Sequence, residues 1–212
     1  MKKQEKKDIT YKLVLIGDEN VGKTSIINRF KNNKFSEKYE PTLGLDFQTK
    51  YITIDNINTK LLLYDTSGQE KFKTLIPVYI KEAKVIILIY DITNEESFIN
   101  IKKWQEFSKD LNKENALFIL VGNKSDLFNR KVSQEEGKKF ADNNNYIFKE
   151  VSAFTGDGIE DLFLNVLSKQ IKQQLLINEK DMKDPEEEKL KFNLKENNEM
   201  NKKKKRCCRC FN

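Results

Sequence analysis

Short apolar runs alternate with longer stretches of amphipathic spacing over most of this chain. "YKLVLIG" (11–17), "KLLLYD" (60–65), "KVIILIYD" (84–91) and "LFILVG" (117–122) are continuous in their hydrophobics, which predicts strands buried on both faces. "YITID" (51–55) alternates and runs into "NIN", so 45–64 reads as a hairpin. Helical spacing fills the intervals, in "KTSIINRF" (23–30), "EESFINIKKWQEFSKDL" (95–111) and "SQEEGKKFADNN" (133–144). In "IEDLFLNVLSKQI" the residues Ile159, Leu162, Phe163, Val166 and Leu167 share one helical face. Repeated strand–helix alternation predicts a mostly parallel sheet with helices on both faces.

Past about Leu176 the pattern stops. "NEKDMKDPEEEKLKFNLKENNEMNKKKKR" is charged, Asn-rich and poor in core residues, as flexible linkers are. The expected division is a globular domain over 8–177, a linker over 178–201, and a polybasic, cysteine-containing tail over 202–212. A chain of 212 residues has room for one such domain with a sizeable core.

Charge and cysteine usage refine this picture. The net charge of +6 equals the charge of Lys202, Lys203, Lys204, Lys205, Arg206 and Arg209, so the remainder is neutral. A neutral core with a basic end argues against a spread nucleic-acid face. The 3 cysteines are Cys207, Cys208 and Cys210, so no disulfide framework holds the domain, and a reducing compartment is expected. "MKKQEKKDIT" lacks the apolar stretch of a signal peptide, and no run approaches the ~20 apolar residues that span a bilayer. A soluble, intracellular core is the expectation.

"GDENVGKT" (17–24) follows the first strand and opens a helix, the setting that a G-x-x-x-x-G-K-[ST] pattern needs. Gly17 and Gly22 let the backbone wrap so that successive N–H groups point at phosphate oxygens. The helix N-terminus adds partial positive charge. Lys23 reaches β- and γ-phosphates, and the Thr24 hydroxyl is a hard ligand for Mg²⁺. An ATPase or a nucleotide kinase can open in the same way, so this loop leaves the base undecided.

"NKSD" (123–126) lies just beyond a strand end, where open α/β sheets bind ligands. Guanine presents N1–H and its 2-amino group side by side, and the Asp126 carboxylate can accept both; adenine offers no such pair. "DTSGQE" (65–70) places Asp65 to hold Mg²⁺ through water, while Gly68 lets the backbone approach a γ-phosphate and Gln69 orients a water. "YEPTLG" (39–44) offers Thr42 as another hard ligand. "VSAFTGDG" (151–158) ends the last strand, where N–H groups near Ala153 can face the base.

"GDENVGKT", Thr42, "DTSGQE", "NKSD" and "SAF" resemble, in order and spacing, the motifs of the Ras-like small GTPases, over about residues 9–177. The resemblance implies a P-loop NTPase fold: α/β, a mostly parallel six-stranded sheet with one antiparallel hairpin strand and helices on both faces. It implies a nucleotide-binding set of Asn20, Val21, Gly22, Lys23, Thr24, Ser25, Phe35, Thr42, Gly68, Asn123, Lys124, Asp126, Leu127, Ser152, Ala153 and Phe154. Within that set Phe35 is similar to the aromatic that flanks guanine, and Thr24, Thr42 and Asp65 to the Mg²⁺ site. Gln69 looks like the catalytic glutamine, acting with Lys23 and Thr42. The implied activity is a GTP/GDP switch in which Thr42 and the 66–80 segment clamp onto GTP and relax when the γ-phosphate leaves.

"LGLDF" (43–47), "KLLLYDTSGQEKF" (60–72) and "LIYDIT" (88–93) look like the Rab branch, and "KTLIPVYIKEAKVIILIYDIT" most like its Golgi-associated, Rab-six-like group. That resemblance implies an effector-reading triad at Phe47, Tyr64 and Tyr79, whose plainer reading is half-buried packing. It also implies an exchange factor, an activating protein supplying arginine, effectors, a prenylation escort, a GDP-dissociation inhibitor and a monomeric core. The expected location is cytoplasmic, cycling to the cytosolic face of Golgi or vesicle membranes.

The chain departs from the pattern in places. Ser67 stands where most relatives have Ala, so an altered intrinsic hydrolysis rate is expected. Phe154 replaces a Lys, with a modest effect expected because the base contact there is mainly backbone. Tyr64 replaces the usual Trp, so the effectors can differ. The core holds Arg29 and Arg130, neither well placed to reach a transferring phosphoryl group. Slow unaided hydrolysis is expected, faster with a partner's arginine and resistant to it in Gln69→Leu. Two other readings stand beside the switch: a GTP-loaded scaffold with negligible hydrolysis, and a P-loop nucleoside kinase, for which an arginine-rich lid is missing.

The tail "NKKKKRCCRCFN" (201–212) reads as a lipid anchor, with lysines drawn to anionic lipid and two of Cys207, Cys208 and Cys210 prenylated. The ending has no C-a-a-X box, and palmitoylation of one thiol stays open. Three cysteines in a chain with 0 histidines fall short of a closed zinc site. "KKKKR" on its own also matches a nuclear address.

Overall fold

The computed structural model describes residues 9–36, 42, 45–54, 57–67, 76–112 and 116–168. The chain divides into two units, Met1–Asn165 and Val166–Asn212. The first holds the sheet and the site; of the second only 166–168 are described.

Six strands, β1 (Ile9–Ile16), β2 (Leu45–Ile54), β3 (Ile57–Thr66), β4 (Val85–Asp91), β5 (Leu117–Asn123) and β6 (Ile147–Glu150), form one sheet in the order β2-β3-β1-β4-β5-β6. β2 and β3 pair antiparallel, and every other neighbouring pair is parallel. The helices are α1 (Lys23–Asn32), α2 (Ile76–Ile80), α3 (Glu95–Ile99), α4 (Ile101–Leu111), α5 (Gln134–Asn143) and α6 (Asp161–Val166). This is the fold class expected from the sequence.

The continuous apolar runs behave as the pattern implies. β4 is buried at every position. On one face Val14, Ile16, Ile86, Leu88 and Leu120 pack with Ile76 and Ile80 of α2, Ile101 and Trp104 of α4, and Ala141 of α5. Leu13 and Leu15 turn to the other face by the two-residue period of a strand and are equally buried, and α1 lies against β3.

Three elements differ from their sequence reading. β3 alternates, with Leu61 and Leu63 buried but Leu62 and Tyr64 half-buried, because the β2–β3 hairpin turns one face toward solvent. Phe47 and Tyr51 of β2 are exposed there. The single helix expected over 95–111 is divided at Asn100, whose backbone N–H reaches Glu96 and Phe98 carbonyls. Residues 161–166 wind as a π-helix, which shifts the apolar face by about one residue per turn relative to an α-helix.

Local signals fix the helix starts. Asn94 caps α3 by accepting from the N–H groups of Glu96 and Ser97. Ser133 and Glu136 form a reciprocal capping box at α5. Helix α1 has a different beginning: its N-cap is Gly22, left-handed, with no side chain to satisfy the first N–H groups. Those donors remain available to a ligand.

Candidate functional site

The phosphate loop runs from the end of β1 into α1, and its two glycines are required by contact as well as by conformation. Gly17 has φ +150, and a Cβ there would lie 2.2 Å from the Ile89 carbonyl oxygen. Gly22 has φ +97, and a Cβ there would lie 2.2 Å from Asn123 Nδ2. Asn20 between them is also left-handed, at φ 59. Val21, before α1, is buried, and Ser25 in the first turn of α1 is half-buried.

Lys23 curls back over this loop, with Nζ donating to the carbonyls of Gly17 at 2.9 Å and Asp18 at 2.5 Å. Burial lowers its pKa to about 8, against the opposing pull of Asp65, Asp18 and Glu19. A buried ammonium held only by carbonyls and distant acids is poised to gain from an incoming anion.

Thr24, Thr42 and Asp65 converge beside it. Thr24 Oγ1 is 2.8 Å from Thr42 Oγ1 and donates to Asp65 Oδ2 at 2.6 Å; Thr42 Oγ1 lies 3.4 Å from the same oxygen. Asp65 Oδ1 is buried and has no hydrogen-bond partner. Burial raises the Asp65 pKa despite bonds from both threonines and the charge of Lys23. These residues fit Mg²⁺. All three donors are hard oxygens, their spacing approaches the roughly 2.9 Å edge of an octahedron with 2.0–2.1 Å bonds, and one carboxylate oxygen is left over. Two hydroxyls and one carboxylate leave an octahedral metal here room for water and phosphate ligands.

At the same C-terminal end of the parallel strands the base-reading residues meet the phosphate loop. Asn123 is buried at the end of β5. Its Nδ2 donates to the Val21 carbonyl at 2.8 Å, and its Oδ1 accepts from the Ala153 N–H at 3.2 Å. Asn123 therefore ties two loops together, and the Ala153 N–H expected to face the base is given to it. Lys124 takes a left-handed φ of 67, and Asp91 Oδ2 holds its Nζ at 2.6 Å. Asp91 is itself fixed through Oδ1 by the Thr93 N–H and hydroxyl. Asp126 accepts from the Ser152 hydroxyl at 2.5 Å through Oδ1, and Leu127 beside it is exposed. Phe35 meets Phe154 edge-on with centroids 5.3 Å apart.

The expected aromatic triad is contiguous. Phe47 and Tyr64 are cross-strand partners with ring centroids 5.9 Å apart, and Tyr64 is 5.0 Å from Tyr79. Lys12 places its ammonium over both tyrosines, at 5.0 and 5.5 Å. Both core arginines are committed elsewhere. Arg130 pairs Glu150 through two nitrogens at 2.6 and 2.9 Å, and Arg29 binds carbonyls at 153 and 154. Gly68, Gln69, the 178–201 linker and Cys207, Cys208 and Cys210 lie outside the described residues.

Sequence reasoning did not anticipate the brace on Asp18. Its carboxylate accepts from Asn100 Nδ2 and Trp104 Nε1, both at 2.8 Å, which fastens the phosphate loop to the start of α4. Asp18 is one of the unspecified positions of its motif, and no local pattern pairs it with a helix far along the chain. The Asp91–Lys124 contact was hidden in the same way. A family model described as the Ras family matches residues 12–173.

Proposed function

The chain belongs to the Ras family, and from that premise we propose that it is a membrane-cycling switch of the Rab branch, acting in vesicle traffic around the Golgi. As a Ras-family chain it is a small GTPase, whose relatives bind GTP and GDP, typically with Mg²⁺, and work with exchange factors, activating proteins and effectors. The observation that carries the switch reading is the meeting of Thr24, Thr42 and Asp65, with Asp65 Oδ1 buried and unpartnered. Thr42 comes from a connecting segment, not from the sheet or α1. A site completed by a loop residue is one that a change of ligand can open and close.

In this reading the chain's residues divide the work. Lys23 and the N–H groups at the start of α1 bind the phosphates. Asp126 reads the guanine edge, while Asn123 and Asp91 hold the base loop and Lys124 in place. Thr24, Thr42 and Asp65 hold Mg²⁺, which when bound neutralises charge on the β- and γ-phosphates. Gln69 orients the attacking water. Both core arginines are engaged in structural contacts, so hydrolysis is slow until a partner supplies one, an effect of about 10³–10⁵ in rate.

The contiguous row of exposed Phe47 and half-buried Tyr64 and Tyr79 supports effector recruitment, since it runs from the hairpin to α2, within the segment expected to respond to nucleotide. The basic, cysteine-bearing tail supports prenyl anchoring with an escort and a dissociation inhibitor, and mass spectrometry of the native C-terminal peptide tests that part. The central test is to denature the purified full chain and chromatograph what it releases. Near-stoichiometric GDP is expected. Retained GTP would favour a scaffold with negligible hydrolysis, and adenine nucleotide would refute the role of Asp126.

A further inference from the structure

Between β1 and α1 the phosphate loop is pinned to other elements at Gly17, Asp18 and Val21. Gly17 lies so close to β4 that a Cβ would stand 2.2 Å from the Ile89 carbonyl oxygen. The Val21 carbonyl accepts from Asn123 Nδ2 at 2.8 Å. The Asp18 carboxylate reaches α4: Oδ2 accepts from Asn100 Nδ2 and Oδ1 from Trp104 Nε1, each at 2.8 Å. Glu19 and Asn20, which lie between the pins at 18 and 21, are exposed, and Asn20 holds a left-handed φ of 59. Freedom in the loop is thereby confined to these two residues.

The pin at Asp18 differs from the other two in what it carries. Its backbone carbonyl accepts from Lys23 Nζ at 2.5 Å, beside the Gly17 carbonyl at 2.9 Å. One residue therefore ties the loop outward through its carboxylate and holds the phosphate-binding lysine inward through its carbonyl. The donors on α4 are themselves fixed. Trp104 is buried in the core with Ile101, and the Asn100 backbone N–H is committed to Glu96 and Phe98 at the α3–α4 junction. Each carboxylate oxygen thus meets a preset donor, which makes the bonds charge-assisted and the brace stiff.

We propose that Asp18 is a positioning residue for nucleotide retention: its carboxylate, held by Asn100 and Trp104, keeps the phosphate loop and Lys23 closed on their ligand, so that release requires this brace to open. The proposal rests on the guanine-nucleotide reading given above. Asp18 touches the nucleotide through nothing of its own side chain; it acts through the loop. A hydrogen bond to a charged acceptor is worth about one to two decades in an equilibrium constant. With part of that kept as the loop opens, the brace slows release roughly three- to thirtyfold.

The test is the release rate of a fluorescent GDP analogue from the full chain, in Mg²⁺ and in EDTA, with thermal melts of the same proteins. Asp18→Ala, which removes the acceptor, and Asn100→Asp, which sets one carboxylate against another, are expected to release the analogue roughly three- to thirtyfold faster. Trp104→Phe, which keeps a buried ring and removes one donor, should accelerate it by a smaller factor. Adding Asp18→Asn to Asn100→Asp exchanges the amide and the carboxylate, so both bonds can form again with the donor and acceptor reversed between the two residues. That pair should bring release back toward the wild-type rate. An acid at the start of α4 is favourable to the helix, so Asn100→Asp is expected to fold. The factors should be the same with and without Mg²⁺, because the brace does not pass through Thr24, Thr42 or Asp65. Wild-type release from Asp18→Ala and Asn100→Asp would overturn the proposal, as would acceleration confined to Mg²⁺. So would an exchanged pair that releases as fast as Asn100→Asp alone, since the brace would then be a stabilising contact only. In each of these cases guanine binding would stand. Failure of the wild-type chain to take up the analogue at all would overturn the guanine reading itself.

Discussion

Replacing Asn123 by Ala separates two roles that one side chain can fill. A residue that only reads the base matters only when a base is present. The structure instead makes Asn123 a tie between the phosphate loop and the 152–156 loop, through the Val21 carbonyl at 2.8 Å and the Ala153 N–H at 3.2 Å. Removing the amide leaves both buried groups without their partner. Each such loss costs about 1–3 kcal/mol, so the pair is worth roughly 2–6 kcal/mol before relaxation. The vacated space lies beside polar groups that can share a water, which places the expected cost near the lower end, about 2–3 kcal/mol. For a chain of this size that lowers the thermal midpoint by about 4–12 °C. The assay is unfolding of nucleotide-stripped protein, followed by fluorescence or circular dichroism, alongside GDP affinity. Asn123→Asp, which keeps an acceptor for Ala153 but cannot donate to Val21, should fall between. A stripped Asn123→Ala protein that melts within about 2 °C of wild type while losing GDP affinity would refute the tie and restore a pure base-reading role.

Other predictions follow from single contacts. Gly17→Ala drives a Cβ to 2.2 Å from the Ile89 carbonyl oxygen, so the purified protein should carry little or no nucleotide; wild-type occupancy would contradict the geometry. Asp65→Asn removes the charge beside the two threonines, and nucleotide release from it should respond far less to chelation of Mg²⁺ than release from wild type. Ser67→Ala should change the single-turnover rate of GTP hydrolysis, since Ser67 is buried directly after Asp65 and Thr66; indistinguishable rates would dispose of that idea. Ser133→Ala should lower the melting midpoint by about 2–4 °C through loss of the α5 cap. The Glu136 carboxyl is held below its usual pKa by bonds from the Ser133 backbone and side chain. Its contribution is therefore present above the ordinary Glu value and lost as pH falls through the lowered one, and a melt series across that range should be flatter in Ser133→Ala than in wild type.

The site was legible where chemistry is written in contiguous residues. "GDENVGKT" sets a loop, a lysine and a hydroxyl within one turn of backbone, and "NKSD" follows a strand whose apolar run is unmistakable. The sheet was legible for the same reason, because strands buried on two faces admit few polar residues. What escaped was tertiary bracing. Trp104 bonds Asp18 across 86 residues and Arg29 bonds Ala153 across 124, and neither pair follows a periodicity. α2, "IPVYI", is too short for any helical repeat to show. The division at Asn100 was masked because the apolar spacing runs through it; its backbone bonds to Glu96 and Phe98 and its side chain's use on Asp18 mark it in the structure.

The same bond on Asp18 turns this protein into its own optical reporter. The chain holds 1 tryptophan, and its indole N–H is donated to the loop that embraces the phosphates. Indole emission shifts when its N–H gains or loses a carboxylate, so loading, exchange and release of nucleotide can be followed in the unlabelled protein with a single fluorophore. A spectrum that stays unchanged on nucleotide removal would mean that the loop keeps its shape when empty. A shift would time, turnover by turnover, when the loop rearranges relative to bond cleavage.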